Sequence, residues 1–311
     1  MHSKVPSPLH RLNPQRIFFG WWLVGITVFI TGLAFGPLLH GAGVFIVALR
    51  REFGWSQAIL SVPWTLNRAA EGAILGPVEG YMTDRMGTRR MVFIGFLILG
   101  GGLISFSFIS NVPGYFVAVA VLWLGAGMAG SIPLMAALNH WFIRRRTTAI
   151  AIGQMGGNLG GLFVPLLAGA IELVGWRVTT FWGGIGVLAL AIPISQLIRN
   201  RPEQYGLLPD GDLPAQTSAS INEGDISDRI DNVQEDPAFT VKEALKTGAF
   251  WTLSGAMGCA VAAALTIILF IVPSLEHRGI SLEIAGTVVA TYTAVSVVFR
   301  IIGGFVGDRV P

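Results

Sequence analysis

The chain has 311 residues, of which 52% are hydrophobic and only 13% charged, with a mean hydropathy of +0.64. A soluble globular domain carries roughly twice that share of charge, so composition excludes the ordinary water-soluble classes. The formal net charge is +3 and the single cysteine, Cys259, rules out an internal disulfide. The small positive excess reflects where basic residues fall along the chain and implies no nucleic-acid partner.

Residues 1–16 are polar and basic, contain Pro6, Pro8 and Pro14, and read as a cytoplasmic tail. The apolar stretch 17–39 is too long for the hydrophobic region of a signal peptide and meets the about 20 residues that a membrane-spanning helix needs. Trp21 and Trp22 stand at its start, where aromatic side chains collect at a membrane interface. Residues 41–55 include Arg50, Arg51 and Glu52 and read as an outer connection. Ser56 is placed to cap a second helix over 57–79. Residues 80–90 read as a tight charged turn, and a charge-free third helix follows over 91–109. Asn111, Pro113 and Gly114 mark the next turn. Further helices are expected over 115–138, 147–171 and 178–198, with Arg144, Arg145 and Arg146 in the connection before the fifth.

Composition changes over 199–248, which holds ten of the 18 acidic residues and reads as a cytoplasmic linker. Near its end, Thr240 and Glu243 have capping-box spacing. Two more apolar helices are expected, over 249–272 and 282–306. The fold class is therefore all-α and polytopic. Residues 17–198 form an N-terminal six-helix bundle and residues 249–311 the first two helices of a second bundle, eight of an expected twelve in a C-terminally truncated chain.

The central sequence feature is Gly80, Asp84, Arg85, Gly87, Arg89 and Arg90 between two apolar segments, and its opening recurs as Gly304, Asp308 and Arg309. A repeated helix-ending signature suggests two related six-helix units. This pattern resembles the loop between helices 2 and 3 of the major facilitator superfamily. The resemblance implies a helix bundle that works by alternating access, with Asp84, Arg85 and Arg89, and Asp308 and Arg309 in the second copy, acting in a conformational latch.

A narrower resemblance rests on Phe53, Gly54, Trp55 and Ser56 after the first helix, and on Arg201, Pro202, Glu203, Gln204, Tyr205 and Gly206 after the sixth. Both are similar to the monocarboxylate transporter and oxalate/formate antiporter branch. In that branch an arginine of helix 8 binds the substrate carboxylate, and Arg300 stands at the matching place, four residues before Gly304. Ser296 occupies the position, one turn earlier, where monocarboxylate transporters often have an aspartate. A lysine late in helix 1 of the animal members would fall near His40.

Residue chemistry points to the same positions. An ionisable group at membrane depth is costly unless paired or facing a wet cavity. Arg300 has no acid one turn to either side, and its planar guanidinium suits a two-bond grip on a carboxylate; the bland alternative is snorkelling to the interface. Arg68 and Glu71, three residues apart on one helix face, can neutralise each other as a structural pair or act as a gating pair. In the fifth helix Gly153, Gly156, Gly157, Gly160 and Gly161 form a stripe that lets a neighbour approach closely. Asn158 and Gln154 lie beside it, suited to a cavity or to plain interhelical hydrogen bonding.

These features imply a secondary transporter of a small mono- or dicarboxylate in the lipid bilayer of the inner or plasma membrane. A proton or counter-anion would drive it, without cofactor or metal, and the protein would act as a monomer. Carriage of another solute, such as a drug or sugar, is the alternative within transport. A membrane sensor would need a signalling domain, and an enzyme a catalytic or metal cluster; neither pattern is found in the sequence.

Fifteen of the 21 lysines and arginines fall in segments that one orientation places inside, which puts the N-terminus, the linker and Asp84 in the cytoplasm. A cysteine introduced at Ser218 should therefore resist an impermeant thiol reagent applied to intact cells. Ready labelling from outside would reverse the topology.

Overall fold

A computed structural model of the chain describes residues 18–71, 75–143, 145–200, 202, 210 and 246–307, the side chains of 69, 249, 253, 257 and 300–307 excepted. The expected tail, most of the linker with its capping box, and Asp308 and Arg309 lie outside the described residues. Every described element is a helix. This is what apolar surroundings demand, because a helix satisfies its backbone polar groups within the segment.

The helices are α1 (Phe19–Leu39), α2 (Ala42–Phe53), α3 (Gln57–Ala70), α4 (Gly76–Met86), α5 (Thr88–Ser107), α6 (Val112–Ala129), α7 (Ser131–Trp141) and α8 (Arg146–Leu159). A 3-10 turn, Gly160–Phe163, leads into α9 (Val164–Val174), and α10 (Trp176–Leu197), α11 (Gly248–His277) and α12 (Leu282–Gly307) complete the chain. Among the described residues seven stretches are long and apolar enough to cross a membrane. The remaining expected span, 57–79, is divided between α3 and α4.

Three expectations are corrected. Residues 42–53 form a helix and not a connection: residues 42 to 49 are all buried, and the basic Arg50 and Arg51 occupy the last turn, where they complement the helix dipole. The helix stops at Gly54, which takes φ +67° so that its N–H bonds the Arg50 carbonyl. The charged turn at 80–90 shrinks to Gly87 alone. At φ +80° this glycine adopts a backbone that side chains disfavour, and helices run up to it and away from it on both sides. The fourth and fifth expected helices are each broken, at Gly130 and at the 3-10 turn ahead of Pro165.

Close approaches between helices are found at the breaks and within regular helix alike. A methyl on Gly130 would overlap the Phe35 ring. α1 and α8 cross with backbone against backbone: a Cβ on Gly32 would stand 3.1 Å from the Gly156 carbonyl oxygen, and Gly36 faces the Gly160 backbone. The Thr31 hydroxyl donates to the Gly153 carbonyl across this crossing, 3.0 Å away. The partner of the glycine stripe is thus α1, with Gly161 turned instead to His40 and Thr293 and Gly169 meeting nothing. α5 lies between α6 and α10 in the same manner, through Gly95, Gly100, Gly125 and Gly184. Outward faces are apolar, as on Leu173 (86% exposed), which fits a lipid-facing surface.

The two ends of the bundle collect different groups. At one end Phe18 and Phe19 of the α1 start pack on Trp141 and Phe142, and the Trp141 indole donates to the Arg199 carbonyl. The Gly87 turn lies there too, touching Asn200. The other end gathers Glu52, the carbonyls of Ser107 and Ile109, and Trp176 with Arg177. α11 packs on α2, and α12 on α8, the 3-10 turn and α9.

The α1–α8 crossing leaves no room for a side chain. At Gly156 a Cβ would overlap the Val28 carbonyl and the Thr31 hydroxyl. Gly156→Leu should cost about 2 kcal/mol or more through forced separation of the helices. Thermal unfolding in detergent would measure it, and an unchanged midpoint would rule out this contact as a determinant of packing.

Candidate functional site

Two segments where regular helix gives way, the end of α1 and the 3-10 turn, meet the unbroken helix α12. α1 carries Pro37 and ends at His40, whose N–H still reaches the Gly36 carbonyl before Gly41 starts α2. The 3-10 turn brings Gly161 against the His40 ring, and the Thr293 side chain of α12 reaches the same point of Gly161. His40 is buried, and Thr293 is fully buried with its hydroxyl donating to the Val289 carbonyl. Asn158 is half-buried on α8, three residues before Gly161. Arg300 lies on α12 seven residues beyond Thr293, two turns along the helix or about 10 Å; its side chain lies outside the described residues. Of the three residues read as substrate-binding, His40 is therefore placed at a junction of elements from both parts of the chain.

The residues read as gating occupy α3, α4 and the start of α5. The Arg68 guanidinium donates to the Glu71 carboxylate at 2.5 Å and lies over the Trp123 ring, 5.8 Å from its centre. α4 also carries the buried Glu79. Asp84, Arg85 and Arg89 are exposed at the Gly87 turn, and Arg85 stacks on Tyr81, 4.8 Å from the ring centre. Asp84 makes no ion pair among the described residues. Around it, Thr83, His140 and Asn200 help line an open pocket of about 410 Å³. Asn200 accepts the Arg89 N–H at 3.0 Å and so caps α5 from the far end of α10, a role that Gly87 cannot fill with a side chain.

The opposite end holds a set of ion pairs that the sequence did not reveal. Glu276, the penultimate residue of α11, accepts from both Arg50 and Arg51 of α2. Glu52 accepts from Arg177 at 2.9 Å and from the Trp176 indole, while Arg177 also donates to the carbonyls of Ser107 and Ile109. Arg50 and Arg51, expected in an outer connection, are therefore paired, as is Arg177. Their partners lie more than 120 residues away in sequence, so no local spacing could have found them.

The Major Facilitator Superfamily model matches residues 17–311. The chain belongs to the Major Facilitator Superfamily. The family match agrees with the all-helical, multi-pass membrane architecture described above. Among known superfamily proteins, human Monocarboxylate transporter 6 is 33% identical over 187 residues, covering 58% of this chain and 35% of the relative. Human Monocarboxylate transporter 7 is 26% identical over 179 residues, 56% and 33% of the two chains. A probable hexose phosphate transport protein of Chlamydia trachomatis is 28% identical over 176 residues, 53% and 38%. These matches span only about a third to two-fifths of the relatives' own length. A solved structure, a glutamate-to-glutamine mutant of the peptide transporter POT, superposes over 96% of this chain and 72% of its own with TM-score 0.54 at 19% identity, a likeness of fold.

The Glu276 pairs join α2 to α11 and so tie the first part of the chain to the second. Partly exposed pairs of this kind contribute about 1 kcal/mol together, or roughly a fivefold shift between joined and separated arrangements. In Glu276→Gln, spin labels at Ser56 and Ser281 of the full-length protein should show a longer, broader distance distribution. A distribution identical to wild type would show that the pairs do not hold this end shut.

Proposed function

We propose that the protein is a secondary active transporter of a small organic anion, a mono- or dicarboxylate, working by alternating access. Residues 17–198 form one six-helix body in this reading, the linker 199–248 leads to the second, and the substrate sits between them. The observation that carries the proposal is the meeting of His40, Gly161 and Thr293. The end of α1 and the 3-10 turn, both departures from regular helix, meet α12, and that helix continues from Thr293 to Arg300. Irregular backbone at membrane depth is tolerated where it is buried in protein or lines a cavity, and the two-body transporters place their substrate where their broken helices meet.

Arg300 supplies the fixed positive charge that a carboxylate requires, and His40 and Asn158 supply polar contacts nearby. Asp84, Arg85 and Arg89 act as a latch at the cytoplasmic end, with the second copy at Asp308 and Arg309, while Arg68 and Glu71 hold α3 through the motion. A proton or a counter-anion drives the cycle. The protein works as a monomer in the inner or plasma membrane with its N-terminus in the cytoplasm. Similarity to two human monocarboxylate transporters supports the carboxylate class. A phosphorylated sugar is the second reading, favoured by the similarity to the hexose phosphate protein; it too is an organic anion that an arginine can bind.

The test uses the full-length protein in proteoliposomes, with L-lactate and oxalate as probes. Arg300→Ala should abolish uptake of whichever probe the wild type carries while leaving insertion intact. Arg300→Lys keeps the charge and loses the planar two-bond grip, so binding should weaken about tenfold or more. Undiminished carboxylate uptake by Arg300→Ala would eliminate the organic-anion reading.

A further inference from the structure

Glu79 lies in the first turn of α4 and is 1% exposed. Neither of its carboxyl oxygens has a hydrogen-bond partner among the described residues. The carboxyl group rests against the backbone of Gly127 on α6, and a methyl on that glycine would overlap both oxygens. The bundle thus encloses an acid in a notch that only glycine leaves open.

Among the described residues no cation pairs with this carboxyl. The elements packed on α4 are α5, α6 and α7. α5 offers Arg89 and Arg90, both exposed at its first turn beyond Gly87. α6 offers Tyr115 alone, whose hydroxyl is committed to the Leu60 carbonyl and the Trp64 indole. α7 offers His140, exposed in its last turn. Along the same stretch of chain Arg68 is held by Glu71, Asp84 and Arg85 are exposed, and Tyr81 faces outward under Arg85. An ionised carboxylate shut away from water with no donor and no cation costs several kcal/mol, whereas the neutral acid costs far less.

We propose that Glu79 and the Gly127 notch form a proton-binding site: Glu79 holds a proton while α4 is seated on α6, and releases it when the two helices separate and water enters. Proton occupancy is then tied to helix position, because a ligand that binds one arrangement better shifts the equilibrium toward it. Glu79 lies five residues before Asp84 on the same helix, so separation of α4 from α6 accompanies movement of the Gly87 turn. Within the transport reading, on which this part rests, Glu79 is the group through which a proton gradient drives the cycle.

The site can be tested without a substrate. The full-length protein in lipid nanodiscs at neutral pH should show the infrared carbonyl stretch of a protonated carboxyl. That band should be lost in Glu79→Gln, persist in the exposed control Asp84→Asn, and persist at shifted frequency in Glu79→Asp should Glu79→Gln fail to fold. A wild-type spectrum without the band, or a band unaltered in a folded Glu79→Gln, would overturn the site. In proteoliposomes, an acid-outside gradient should stimulate L-lactate uptake several-fold in wild type and not in Glu79→Gln, which keeps lactate exchange at equal pH. Equal stimulation in both would remove Glu79 from coupling. An infrared band of the expected behaviour in a protein that moves no lactate would support the site and count against the monocarboxylate reading alone.

Discussion

Backbone rests directly on backbone where α1 crosses α8, and the centre of the molecule depends on that crossing. In apolar surroundings no hydrophobic force drives helices together, so association relies on close packing, and small residues permit it. Gly32 and Gly36 on one side meet Gly156 and Gly160 on the other. Their contact brings the end of α1 to the end of α8, which sets His40 beside Gly161. Because Gly161 has no side chain, α12 can approach until Thr293 reaches it. The candidate site is therefore a consequence of helix packing, built where the end of α1 and the 3-10 turn, both departures from regular helix, meet α12.

Charge is managed in a different way in each layer of the bundle. The short-range solution is Arg68 with Glu71, one turn apart on the same helix. At one end, long-range pairs join Glu276 to Arg50 and Arg51, and Glu52 to Arg177. At the other, Asp84, Arg85 and Arg89 remain exposed, where charge is cheap to solvate. Glu79 follows none of these patterns, and that exception makes a bound proton its natural partner.

Much of the helical plan was legible because a run of about 20 apolar residues permits few structures other than a spanning helix. The positions of Ser56 as a cap and of the helix-five glycines as a packing stripe also followed from residue type. What failed did so for identifiable reasons. The segment 42–53 carries three charged residues near its end and looks like a connection, yet a covering α11 supplies Glu276 and lets the helix continue. The charged stretch 80–90 looks like a loop, yet Gly87 alone makes the turn, because its φ of +80° lets the chain reverse at one residue. The break ahead of Pro165 reads locally as a continuous helix; it is visible only as a 3-10 turn fitted beneath α12.

By itself the sequence determined the class of structure, the approximate number of spans and the family signature at Gly80 to Arg90. These are properties of single segments, set by apolar length, glycine placement and the sorting of basic residues. Only the tertiary structure decided which helices touch, that Asn200 caps α5, that Glu276 neutralises two distant arginines, and that Glu79 is enclosed against Gly127. Each of these depends on residues brought together across 48 to more than 200 positions of chain, from Glu79 with Gly127 to Arg50 with Glu276. Local periodicity carries no record of such distances, because it reports which face of a helix is apolar and not what comes to lie against it.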